Sequence, residues 1–360
     1  MKILSKYNSP KSGFFGALLI LGSLSSCERM YNVPESSDYL SDRIALGTRD
    51  FTPVLGRNNL IGGAVNVAGS STPLNFEIVN FRNSNGTASD ALSVKRPVNV
   101  WIDDYTGQEK SIEEIEAKRK IEERPIIEVR QSGDFIFWPS AKNNVLANYQ
   151  GSVAPAQAAG YLFDVRVSNG GGEAILKDFT LRPLRERPFE PSMRNAVTGV
   201  QTEPITPTIT GNITGVNLRK VLSNAGGGAD TSKRDVRILV KKTGTGKSLT
   251  FKFLDKDFKP IDPNLFNLTD WAKLVHGFNM VKTKEFVKYD VAYPIPLTGR
   301  PTAYTSADGA MAKTRFGFWR LGFNSVRIES FIDFNFQIFE AGDWEIAVQF
   351  RYDTPKFSNE

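Results

Sequence analysis

A chain of 360 residues with a single cysteine cannot staple its own fold, so an apolar core and main-chain hydrogen bonds must hold it together. That cysteine, Cys27, stands directly after an apolar stretch that opens with lysines. Lys2, Lys6 and Lys11 form a basic leader, Phe14 to Leu24 is almost continuously apolar, and Ser25-Ser26 supply the small residues that a signal peptidase requires. The apolar run of about 11 residues falls short of the ~20 that a spanning helix needs, which marks it as a removable signal. Leu24-Ser25-Ser26-Cys27 reads as a lipobox, in which cleavage precedes the cysteine and the thiol then carries diacylglycerol. The alternative is an ordinary cleaved signal that leaves Cys27 as a free thiol. Lipidation predicts a surface or periplasmic protein of the bacterial envelope, held stably because several acyl chains on one N-terminus suffice for anchoring.

Removing residues 1–26 leaves about 334 residues, enough for two domains. The formal charge falls from +6 to +3, because three lysines leave and no acidic residue goes with them. That charge, spread over such a length without a dense Lys/Arg stripe, is no nucleic-acid footprint. The 25 Phe, 10 Tyr and 5 Trp, with many turn-forming residues, favour strands. The expected class is all-β with minor helices: two antiparallel β-sandwich, immunoglobulin-like domains after the lipoprotein signal peptide. A lipidated tether is expected over 27–50, a first sandwich over 51–190, a Pro-rich linker over 191–210 and a second sandwich over 211–360.

Strand signals dominate the first half. Leu74, Phe76 and Ile78 alternate with Asn75, Glu77 and Val79, and Val98, Val100 and Ile102 alternate likewise. One helix is expected from Ser111 to Glu123, where Ser111 and Glu114 make a capping-box pattern and Pro125 stops propagation. In the second half a short amphipathic segment is expected around Val216 to Leu222, and another helix from Asp270 to His276 with Thr269 as N-cap. Val236 to Val240 and Leu249 to Leu254 read as the arms of a hairpin. Ile332, Phe334, Phe336 and Ile338, followed by a turn at Ala341-Gly342-Asp343 and by Trp344, Ile346, Val348 and Phe350, read as a second hairpin with one buried face.

Few groups can carry chemistry. His276 is the only histidine, which removes a His-rich metal site, and its context lacks a nucleophile-elbow signature. It reads as a packed or C-capping residue. Gly244-Thr245-Gly246-Lys247-Ser248 resembles the end of a phosphate loop, but Lys241 occupies the first glycine position and a strand pattern follows, so a hairpin loop is expected. Asp103-Asp104 and the group Asp255, Asp257 and Asp262 lack an EF-hand order, so neither calcium nor any other cofactor is expected beyond the lipid on Cys27. The useful binding residues are aromatics outside the core pattern. Trp101 is out of phase with its strand, Trp138 ends a strand before Pro139, and Tyr304 and Trp319 flank a Gly-rich stretch. Indole faces stack on sugar rings while nearby polar groups take hydroxyls, so these four are the candidate ligand-binding residues.

Ser71-Thr72-Pro73-Leu74-Asn75-Phe76-Glu77-Ile78, Thr269-Asp270-Trp271 through Asn279, Tyr289-Asp290-Val291-Ala292-Tyr293-Pro294-Ile295-Pro296 and Gly342-Asp343-Trp344-Glu345-Ile346 carry a resemblance. With the lipobox and tether, they look like an uncharacterised domain family among Bacteroidetes surface lipoproteins, similar to the accessory glycan-binding proteins of starch-utilisation-type loci. The resemblance implies accessory capture of a polysaccharide or oligosaccharide beside an outer-membrane transporter complex. It supplies no site motif. A non-enzymatic binding protein is therefore expected, with two alternatives: an adhesion or assembly subunit that binds another envelope protein through a sheet edge, and a glycoside hydrolase or lyase with paired carboxylates.

Overall fold

The computed structural model describes residues 38–146, 160–195, 198–211, 213–217, 220–221 and 235–360. Cys27, the segment 1–26 expected as a signal peptide and the first part of the expected tether lie outside the described residues. The first lobe contains β1 (Ala45–Leu46), β2 (Asp50–Phe51), β3 (Asn59–Ile61), β4 (Val65–Asn66) and β5 (Asn75–Asn83). A ribbon of β6 (Arg96–Trp101) and β7 (Arg119–Arg124) follows, with α1 (Ile112–Ala117) between its arms. β8 (Ile127–Val129), β9 (Phe135–Phe137), β10 (Tyr161–Asn169) and β11 (Gly172–Leu181) complete it. One sheet has the order β2-β11-β10-β5 and the other β3-β9-β8. Phe51, Phe163 and Phe179 from the first meet Phe135 and Phe137 from the second in a shared core.

The second lobe comprises β12 (Phe189–Glu190), β13 (Thr208–Gly211), β14 (Ile213–Thr214), β15 (Lys220–Val221), β16 (Val236–Gly244), β17 (Ser248–Leu254), β18 (Gly277–Lys282), β19 (Val287–Val291), β20 (Ala312–Leu321), β21 (Arg327–Ile338) and β22 (Asp343–Phe350). The order β16-β22-β17-β19-β18 forms a five-stranded sheet. β21 pairs with β12, β13 and β20, and its inward residues face that sheet across a second core. The protein is thus all-β and sandwich-like, as expected. Most pairs are antiparallel; β2 runs parallel to β11, and β17 to β22.

Five local expectations are corrected. Residues 332–350 do not form a hairpin: β21 and β22 belong to facing sheets, and the period-two residues of both meet in one core. Alternation reports which face is buried but carries no information about the hydrogen-bonded neighbour. The 236–254 hairpin fails for the same reason, since β22 is inserted between β16 and β17. Helix α1 starts as read, with the Ser111 hydroxyl accepting from the Glu114 N–H at 3.2 Å, but it stops at Ala117. Arg119–Arg124 pair with β6 instead, drawn by Arg119, whose guanidinium donates to the Tyr293 carbonyl at 2.7 Å and lies 5.1 Å from the Trp101 ring centre. The helix expected over 270–276 is a 3₁₀ turn at Trp271–Lys273, after which Gly277 opens β18. Around 216–222, Lys220–Val221 is a strand paired with β14, while residues 218, 219 and 222 lie outside the described residues.

The ends of both connectors are laid onto the lobes. Tyr39 and Ser41 donate their N–H groups to the hydroxyls of Ser71 and Ser70, each at 3.0 Å, so the first lobe begins well before residue 51. Within the Pro-rich stretch the Thr202 N–H donates to the Met193 carbonyl and Arg194 bridges to Gln201, and the strands at its ends, β12 and β13, with a bridge from Ile205 to Ile238, stitch it to the second lobe.

Candidate ligand-binding cleft between the lobes

β9 is read by both of its faces. Phe135 and Phe137 point into the first core, so Ile136 and Trp138 point the opposite way, where they pack on Val98 and Val100 of the β6–β7 ribbon. The ribbon itself is docked on the second lobe. Tyr105, Ile112 and Ile115 pack with Ala292 and Leu297 in a small apolar cluster that also takes in Trp101. Trp101, at the end of β6, lies 5.7 Å from the Tyr105 ring. A cleft of about 430 Å³ therefore opens where β3, the ribbon, the end of β9 and the segment Leu297–Arg300 meet. That volume is within the usual range of ligand pockets, about 300–1,000 Å³.

The cleft brings together Trp101 and Trp138 of the four candidate aromatics. Trp138 is only 8 % exposed, and its indole N–H finds no acceptor among the described residues. A buried donor left unpaired costs about 1–3 kcal/mol. Leu60, 62 % exposed, adds apolar surface. Asn58, Asn99 and Arg130 also line the space, and their side chains make no hydrogen bond among the described residues. Asp104 accepts from Arg300 at 2.7 Å across the rim, an exposed pair that contributes little to stability.

Sequence reasoning did not single out Asn58, Asn99 or Arg130. A signal existed for Asn99, which shares a strand face with Trp101 two positions on; the others come from separate turns that only folding brings close. Tyr304 lies outside the cleft, stacked on His276 with ring centres 4.9 Å apart and planes 3° from parallel. It lines a cavity of about 30 Å³ that shares Tyr105 and Leu297 with the cleft. Trp319 also lies outside the cleft, on β20 under the guanidinium of Arg327.

His276 joins the ribbon to the second lobe. Its Nε2 lies 2.8 Å from the Glu109 carbonyl, which can only accept, so Nε2 carries a proton. In the neutral ring Nδ1 then accepts from the Tyr105 hydroxyl at 2.5 Å. Burial, with the Glu109 carboxylate and Tyr304 nearby, pushes the Tyr105 phenol well up and keeps it a donor. The expected packed role of His276 is thus a bridge rather than a helix cap. Burial raises the Glu109 carboxyl, but hydrogen bonds from Lys118 at 2.7 Å and from Thr106 outweigh it and hold the group down at about 2.

The remaining candidate loops are occupied by the protein itself. The Gly244–Ser248 loop wraps the Asp343 carboxylate, which accepts from the Gly246 N–H at 3.0 Å and from the Ser248 hydroxyl at 2.6 Å. Its likeness to a phosphate loop has a physical basis, since both present backbone amides to an anion. Asp255 accepts from the Asp257 and Lys259 N–H groups, and Asp262 caps the turn at Pro263–Leu265.

A family model described as Domain of unknown function (DUF5007) matches residues 66–359, and the chain belongs to that family. No curated protein matches the sequence.

Proposed function

We propose that the chain is a lipid-anchored envelope protein that captures glycan in the inter-lobe cleft, serving an outer-membrane uptake system of the starch-utilisation type. The observation that carries this reading is the convergence of Trp101 and Trp138 with the side chains of Asn58, Asn99 and Arg130, which make no hydrogen bond among the described residues. The half-buried Trp101 offers apolar surface to a sugar ring, and the buried Trp138 forms part of the cleft wall. The amides of Asn58 and Asn99 both donate and accept, and Arg130 donates, which matches hydroxyl groups better than a purely apolar ligand. The cleft draws on both lobes, so binding also favours one arrangement of them.

In affinity electrophoresis against starch, xylan, mannan and pectin, the wild type is expected to be retarded by at least one polymer. Trp101→Ala should abolish that retardation while leaving the thermal transition within a few degrees. Mobility unchanged in every gel would reject glycan capture. Anchoring is tested separately: Cys27→Ala is expected to move the protein from the membrane pellet to the soluble fraction, and a variant that stays in the pellet would reject the lipid.

A second reading rests on β18, the outermost strand of the five-stranded sheet, where Met280 and Val281 are 42 % and 51 % exposed. Such an edge accepts a strand from another envelope protein. Co-purification of a defined partner that Val281→Lys releases, with no glycan retained, would favour it.

A further inference from the structure

Two arginines line the cleft, and the protein neutralises only one of them. Arg300 is paired with Asp104 at 2.7 Å. Just outside, Arg119 is paired with Glu116 and Lys118 with Glu109, each at 2.7 Å. Arg130, an exposed residue, makes neither an ion pair nor a side-chain hydrogen bond among the described residues. Two acids flank it in sequence, and both are turned elsewhere. Glu128 pairs with Arg124 at 3.4 Å. Asp134 accepts from the Gly63 N–H at 3.0 Å with one oxygen and from the Ser132 hydroxyl at 2.7 Å with the other. Those two bonds, ahead of the field of Arg130, hold the Asp134 carboxyl below its ordinary value.

The backbone of Arg130 is nonetheless fixed. It opens the tight turn from β8 to β9, where its N–H donates to the Asp134 carbonyl and its carbonyl accepts from the Gly133 N–H, both at 2.9 Å. The guanidinium is thus carried on a hairpin, which positions a recognition group better than a loose loop. The opposite sign stands on the ribbon side. Asp103 lines the cleft with no basic side chain in contact among the described residues; its carboxylate accepts the Asp104 N–H at 2.8 Å and lies in the field of Lys118. The cleft therefore offers a bare donor fork from the first lobe and an anionic acceptor from the ribbon. A neutral sugar suits Asp103 and the asparagine amides but leaves the guanidinium charge to water. A carboxylate or sulfate matches the planar fork, while the hydroxyls of the same ring donate to Asp103. A densely charged polyanion instead meets Asp103 as a like charge.

We propose that the cleft selects acidic sugars, whose carboxylate or sulfate is taken by Arg130. The inference rests on the glycan reading of the cleft and adds the chemical class of the ligand.

The test is titration calorimetry on the full chain in detergent with three fragments: an oligogalacturonate, its methyl ester, which keeps the sugar backbone and removes the charge, and a sulfated oligogalactan. At least one acid is expected to bind about tenfold or more tighter than the ester. That affinity should fall as salt rises, whereas the affinity for the ester stays level. Arg130→Gln should bring the acid down to the affinity of the ester and leave the ester unchanged, which also reports an intact fold. Whichever acid loses affinity identifies the anion. Capture of neutral glycans alone, equal affinity for acid and ester, or an Arg130→Gln chain that binds the acid as the wild type does overturns the proposal and keeps the cleft reading. If Arg130→Gln loses the ester as well, the salt series on the wild type decides: acid affinity that falls with salt supports the proposal, and a level series overturns it. A wild type that binds no glycan at all, acidic or neutral, rejects the cleft reading itself and the proposal with it.

Discussion

Phe163→Ala is expected to lower the free energy of unfolding by about 3–5 kcal/mol, read as a fall in the urea midpoint with an unchanged slope. Phe163 is fully buried, and its ring centre lies 5.1 Å from Phe179, 5.9 Å from Phe135, 6.1 Å from Phe51 and 6.1 Å from Phe81. Truncation removes the transfer free energy of the ring and leaves a cavity that these neighbours cannot fill. The next residue prevents local collapse. Asp164 is buried at a register shift in β10, where it accepts from the Asn80 amide at 2.9 Å and the Asp178 N–H at 3.0 Å, so the backbone beside the cavity is pinned. The cleft should loosen as well, because Phe135 leads into the strand that presents Ile136 and Trp138. A loss under about 1 kcal/mol would mean that this sandwich is not closed by the five-ring cluster.

Asp343→Ala is expected to cost about 1.5–3 kcal/mol, the range for hydrogen bonds made to a charged group. Its carboxylate joins the Gly244–Ser248 loop to the start of β22, and the same place is crossed by Tyr293, whose hydroxyl lies 2.8 Å from the Gly342 carbonyl. The Ser248 hydroxyl, against a smaller effect of burial and with help from the Gly246 N–H and Lys288, holds the Asp343 carboxyl below its ordinary value. The folded state therefore favours the ionised form. Its contribution is fully present above the unfolded value near 3.9 and is lost as pH falls through the lower folded value. Asp343→Asn should accordingly differ from the wild type at pH 7 in urea unfolding, and the gap should shrink below about pH 4. A gap that stays constant down to pH 2 would show that Asp343 acts through packing alone.

The places where expectation and structure part share one cause. Ile332 to Ile338 and Trp344 to Phe350 were legible as half-buried strands, because period two is a property of the chain itself, and every one of those inward residues is in the second core. Their separation into facing sheets was not legible. A short turn can close a hairpin or cross a sandwich, and the choice depends on β22 pairing with both β16 and β17. Arg119–Arg124 shows the same limit, since a charged stretch with helical propensity follows the ladder offered by β6 once Arg119 finds the Tyr293 carbonyl. Trp101 could be marked as an aromatic out of phase with its strand and Trp138 as one that ends a strand, while their convergence depends on a ribbon from one half docking against the other.

What the amino-acid order determined by itself is local. It set the lone cysteine at the end of a signal-like leader, the alternation that makes the chain all-β, the cap at Ser111, and the absence of any dense basic stripe or His-rich cluster. Tertiary structure decided which strands are neighbours, where the Asp343 carboxylate finds its amides, and which aromatics share a space. The physical reason is distance along the chain: side-chain periodicity is set by adjacent residues, whereas the cleft unites residues from 58 to 300, whose meeting depends on burying two cores and the seam between them.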